Sequence, residues 1–137
     1  DGMTINMTEE MRVALWAQRL HRADPSAGFT EVVQTLLQNN ALIARRIWGV
    51  PLGELTQGAS ADIICVPYQP VTPLTSENLY GHILYGLSQM PVDTTIVDGT
   101  VLMHRRKMEI DLGEEETTAR SRELAEVLWK RMQATYK

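Results

Sequence analysis

Leu52-Gly53-Glu54-Leu55-Thr56-Gln57-Gly58-Ala59-Ser60-Ala61-Asp62-Ile63-Ile64-Cys65-Val66 is the stretch from which the fold is read. Gly53 and Gly58 mark tight turns, because glycine enters left-handed backbone without a side-chain penalty. Ala59 to Asp62 leads into Ile63-Ile64-Cys65-Val66, a short branched run closed by Pro67, which reads as a buried strand. A second signal follows at Thr94 to Val97, then Asp98-Gly99, then Thr100 to Met103. Apolar runs on both sides of Asp-Gly predict a β-hairpin. A small sheet is therefore expected mid-chain, with helical patterns before and after it.

Outward from that sheet, Thr8 to about Leu20 has a helical pattern, with Asn6 or Thr8 placed to cap it and Glu9 and Glu10 in the first turn. Its apolar surface, Met11, Val13, Leu15, Trp16 and Leu20, is wider than one stripe and predicts neighbours on two sides. Ala23 to Gly28 reads as a loop. Thr30 is expected to cap a second helix that turns Val32, Val33, Leu36 and Leu37 inward, with a break at Asn39-Asn40. Ala41 to Trp48 resumes the pattern up to Gly49 and would set Ile47 or Trp48 against the sheet. A short helix from Ser76 to Leu84 or Leu87 presents Leu79, Tyr80, Ile83 and Leu84. From Glu114 to about Met132 a long helix is expected to bury Leu124, Val127, Leu128 and Met132, with Glu116–Arg120 and Glu126–Lys130 as ion pairs.

The 137 residues are 44% apolar and 22% charged, ordinary for a folded chain rather than a disordered one. A formal charge of -4 draws neither nucleic acid nor an anionic membrane. The basic run His104-Arg105-Arg106-Lys107 is answered by Glu109, Asp111 and Glu114 to Glu116, and reads as a solvated hairpin rim. Cys65, the one cysteine, allows no intrachain disulfide and reads as a small buried hydrophobe. A reducing, cytoplasmic setting follows. No apolar stretch approaches membrane-spanning length. The chain opens on Asp1-Gly2 rather than methionine, a start that a deliberately shortened chain and a cut longer polypeptide would both give.

Chemistry is sparse. His21, His82 and His104 stand far apart, and no HxH, HExxH, CxxC, GxSxG or phosphate-loop pattern occurs. His21 reads as a cation at a helix C-terminus and His104 as part of the hairpin rim. His82, on a short helix entered from a loop, is the one substrate-binding candidate, against a plain structural reading. From the residues alone no catalytic site emerges.

In series, Gly53, Gly58, Ala61 and Asp62 before the strand, and Val92 to Leu102 around Asp98-Gly99, resemble the amidohydrolase superfamily. The likeness is to the branch of aminohydrolases, chlorohydrolases and cytosine or guanine deaminases. Asn78 to Gly86 and Glu116 to Arg131 resemble segments of the same enzymes, so the likeness runs over nearly the whole chain. It implies an α/β fragment: C-terminal helices of a TIM-like barrel in residues 1–49, strands of an accessory composite β-sandwich in 50–113 with a helical insertion near 76–87, and a terminal helix in 114–137. It also implies that Asp1 is both a catalytic residue and a metal ligand, for zinc or iron, in the intact enzyme. The other ligands (an HxH pair and two later histidines) and the catalytic Glu would lie upstream. One carboxylate cannot hold a catalytic zinc, which takes about three protein ligands. The chain alone is therefore expected to carry no metal and to be inactive. The implied substrate is a small heterocycle or amine, and uncovered apolar helices and sheet edges imply a homo-oligomer. A non-enzymatic association module is the alternative, with an independent enzyme built on His82 behind it.

Overall fold

The computed structural model describes residues 4–111 and 113–135. They form a mixed α/β chain in the order α1 (Met7–Arg22), α2 (Phe29–Gln34), a π-helical turn (Thr35–Asn39), α3 (Asn40–Trp48), β1 (Ile63–Cys65), α4 (Leu79–Tyr85), a 3-10 turn (Leu87–Gln89), β2 (Thr94–Val97), β3 (Thr100–His104), β4 (Lys107–Met108) and α5 (Glu114–Thr135). Two compact units result, one running to Lys107 and the other from Met108. Among the described residues no closed barrel is present.

The core is helical. Met11 and Leu15 from α1, Val32 and Val33 from α2, and Ile83 and Leu84 from α4 are buried together, with Phe29, Leu36 and Tyr80 packed around them. Asn6 caps α1 by accepting from the Thr8 N–H at 3.1 Å, with Glu9 and Glu10 in the first turn as the macrodipole favours. The helix ends at Ala23, in the left-handed region at φ 50°. Only Met11 and Leu15 of its wide apolar surface are buried; Val13, Trp16 and Leu20 face outward.

Three boundaries differ from the sequence expectation. Gly28, at φ 78°, precedes α2, and Thr30 lies inside that helix rather than capping it. Asn39-Asn40 does not break the chain: the Asn40 N–H donates to the Thr35 carbonyl five residues back, so α2 passes into α3 through a π-turn. Asn78, not Ser76, precedes α4. Its side chain accepts from the Thr75 N–H and donates to the Pro73 carbonyl, both at 2.8 Å, which fixes the loop entering the helix.

The sheet is antiparallel, in the order β1-β2-β3-β4. Ile63 lies opposite Ile96 and Cys65 opposite Thr94, and a register shift interrupts β2 against β3 between Thr95 and Ile96. Asp98 and Gly99 turn the hairpin at φ 47° and 76°, the two left-handed conformations of a type I′ turn.

Several burial expectations fail. Cys65 is exposed because β1 is an edge strand, and the turned-out face of a three-residue edge has no layer above it. Ile47 and Trp48 are 67% and 66% exposed rather than set against the sheet. Leu37 and Leu79 also face outward. On α5, Leu124, Val127, Leu128 and Met132 stand about half exposed, since that unit contains no second helix to cover them. Arg120 there pairs with Glu123, three residues on, at 2.8 Å, instead of with Glu116.

Candidate functional site

Two places gather the residues singled out in the sequence. The first is the junction of the glycine-bounded loop with the hairpin. Gly58 sits third in a four-residue turn closed by the Ala59 N–H on the Thr56 carbonyl at 3.2 Å, and its φ of 88° suits only glycine without strain. Gly53, at φ 74°, passes so close to α3 that an added Cβ would stand 2.6 Å from the Ala41 Cβ. Arg45 of α3 holds the same loop, donating from Nε to the Leu52 carbonyl at 2.7 Å and pairing with Glu54. Farther along, the Asp62 carboxylate accepts from the Asp98 N–H at 2.8 Å and the Ala61 carbonyl accepts from the Gly99 N–H at 3.1 Å. Ala61 and Asp62 thus clasp the hairpin turn. Four of the six motif residues, Ala61, Asp62, Asp98 and Gly99, meet as a joint, while Gly53 turns against α3 and Gly58 within its own loop.

The second place surrounds His82 on α4. Its Nδ1 lies 2.6 Å from the Tyr68 hydroxyl and its Nε2 3.3 Å from the Thr72 hydroxyl, with the two rings edge-on at 5.8 Å between centroids. Tyr68 rests against Gly86, where any side chain would strike its ring. Between this loop and α4 opens a cleft of about 540 Å³. Tyr68 and Thr72 were not foreseen as partners of His82. The available signal was weak: a tyrosine and a threonine among closely spaced prolines, a segment too irregular to align with a helix by periodicity.

The other histidines sit elsewhere. His21 occupies the last turn of α1, and His104 ends β3 with Nδ1 3.3 Å from the Thr94 hydroxyl. Asp1 lies outside the described residues. Among the described residues no group of three or more His, Cys, Asp or Glu side chains could hold a metal ion, and no helix is long and apolar enough to cross a membrane. A second cavity, about 520 Å³, lies between α1 and the α2 to α3 helix, floored by Met11, Val32 and Leu36 and edged by Glu10, Arg22 and Glu31. One carboxylate has a shifted acidity: the hydroxyl and backbone N–H of Ser26 both donate to Asp24 and hold it below the usual carboxylate range.

With this geometry in hand, comparison with known proteins gives a consistent class. No protein-family profile matches the chain. Over 104 residues it is 30% identical to the 5-methylthioadenosine/S-adenosylhomocysteine deaminase of Thermococcus onnurineus, covering 76% of this chain and 24% of that enzyme. The deaminase of the same name from Desulforudis audaxviator is 32% identical over 122 residues, 87% of this chain and 27% of its own. The 5'-deoxyadenosine deaminase of Methanobrevibacter smithii is 31% identical over 136 residues, 90% of this chain and 28% of its own. The chain spans about a quarter of the length of these curated relatives. It is a distant, partial homologue of deaminases of the amidohydrolase superfamily.

Proposed function

We propose that this chain forms the C-terminal part of a metal-dependent aminohydrolase that hydrolyses a C–N bond, with deamination of a purine- or pyrimidine-like ring as the reaction. The observation that carries the reading is the match of 76% to 90% of the chain to only about a quarter of each deaminase. The joint of Asp62 on Asp98 supports it, because it gives the two sequence signatures of the resemblance one shared structural purpose.

In the larger enzyme residues 1–49 belong to a barrel, 50–113 to a composite sandwich and 114–137 to a terminal helix. The pattern from Glu116 to Arg131 favours the aminohydrolase SsnA within the branch. Asp1 is one ligand of a divalent zinc or iron, which when bound supplies an activated water. The described residues do not by themselves fit such an ion, so the remaining ligands come from other polypeptide. The isolated chain is accordingly inactive.

The exposed side chains Val13, Trp16 and Leu20 on α1, and Leu42, Ile43 and Ile47 on α3, fit helices that cover something in a protein several times longer. The same surface would drive a homo-oligomer, or serve the second reading, a module that acts by association alone.

The test replaces the aligned quarter of the Thermococcus onnurineus deaminase with residues 1–137 and follows ammonia release from 5-methylthioadenosine. The joined protein should deaminate and lose at least ~100-fold on Asp1→Asn, the scale of removing a group engaged at the reacting centre. The chain alone with added zinc should release none. Deamination by the chain alone would refute the reading.

A further inference from the structure

The His82 cleft has a composition that the deaminase reading does not use. At about 540 Å³ it falls within the range of roughly 300–1,000 Å³ typical of small-molecule pockets. No Asp, Glu, Lys or Arg lines it; its walls carry the rings of Tyr68 and Tyr85, the apolar Val71 and Met90, and the hydrogen-bonding groups of Thr72 and His82. Val71 is 98% exposed and Tyr85 52%, so the cleft lies open along one side and does not select by stripping water from a charge. Aromatic rings and a methionine sulfur instead favour a flat, polarisable body.

His82 is held unequally on its two sides. The Tyr68 hydroxyl at 2.6 Å fixes the ring through Nδ1, while Nε2 meets the hydroxyl of the exposed Thr72 at 3.3 Å, beyond the usual length of a strong bond. A ligand group can take the place of that hydroxyl at little cost, since Thr72 regains water as it leaves. Neither hydroxyl of the pair is committed as donor or acceptor, so a carbonyl or an N–H on the ligand can be matched by choice of tautomer.

We propose that the cleft between the Tyr68–Thr72 loop and α4 binds a planar, hydrogen-bonding aromatic molecule through His82 Nε2, with Tyr68 as the positioning residue. The proposal stands apart from the deaminase reading and does not depend on it.

The experiment titrates the full 137-residue chain with benzamide, and with cyclohexanecarboxamide as a non-planar probe carrying the same amide, while NMR follows the ring nitrogens of its three histidines. Benzamide should move His82 saturably and leave His21 and His104 in place, and cyclohexanecarboxamide should bind at least ~10-fold more weakly, because it offers the rings no flat aromatic face. His82→Gln, chosen to keep a polar side chain of similar reach, should abolish binding while circular dichroism stays that of the native chain. Thr72→Val should retain or tighten binding, because it removes the hydroxyl that competes for Nε2. Equal binding of cyclohexanecarboxamide, an unmoved His82 up to the solubility of benzamide, or loss of binding on Thr72→Val would each overturn the proposal.

Discussion

Asp62 connects the sequence's two strongest signals through one hydrogen bond. It receives the Asp98 N–H while its neighbour Ala61 receives the Gly99 N–H, so the residue entering β1 also shapes the turn between β2 and β3. A hydrogen bond to a carboxylate contributes roughly 1.5–3 kcal/mol, less at an exposed site such as this one. Asp62→Ala should therefore destabilise the first unit by about 1 kcal/mol, read as a lower urea midpoint with an unchanged slope. Gly53 carries a larger penalty. Alanine there must hold φ near 74° and push its Cβ into Ala41, so Gly53→Ala should cost about 2 kcal/mol or more by the same measurement. Asp24 gives a pH signature. The Ser26 donors lower its folded pKa, so their contribution is fully present above the ordinary carboxylate pKa and is lost as pH falls through the depressed folded value. An NMR titration should show the Ser26 amide moving at a lower pH than a free aspartate would titrate, and Ser26→Ala should return Asp24 toward the ordinary range. Of these residues, the glycines and Asp98-Gly99 were legible because a left-handed turn leaves few alternatives. The partner of Asp62 was not, because a link spanning 36 residues has no local pattern.

The elements divide along the same line. Local rules found β1, the β2–β3 hairpin, α1 and α5, each from periodicity, capping residues or turn chemistry. They failed where helix met helix. The π-turn at Thr35–Asn39 ends on one asparagine and α3 opens on another, which mimics a break, yet the backbone continues by slipping one hydrogen bond. Burial failed more widely: an apolar stripe on α5 says only that the helix can be covered, not that a cover is present. The second hairpin turn offers an element-scale prediction. Arg105 and Arg106 occupy left-handed backbone at φ 49° and 61°, positions that suit asparagine and glycine. Exchanging the pair for Asn-Gly should raise stability by about 1 kcal/mol, because the Arg106 N–H bond to the Asp93 carbonyl survives in glycine. An unchanged or lowered denaturation midpoint would argue against strain at that turn.

At the scale of the molecule, the small helical core contrasts with the amount of apolar side chain left outside it. Trp16 is 56% exposed on α1 and Ile47 67% exposed on α3, apolar surface that self-association would cover. Light scattering on the purified chain should give a mass above that of one 15.4 kDa protomer, and Trp16→Lys with Ile47→Lys should return it to a monomer. A strict monomer before mutation would remove the case for self-association. The proposed metal centre was the least legible feature, for a physical reason: such a centre needs several ligands brought together by a fold, and the sequence offers one candidate, Asp1. The decisive measurement is the zinc content, by native mass spectrometry, of the 137-residue chain alone and of the same chain joined to the first three-quarters of a homologous deaminase. The proposal predicts no tightly held ion in the chain alone and one in the joined protein that is lost on Asp1→Asn. One zinc held tightly by the isolated chain would contradict it.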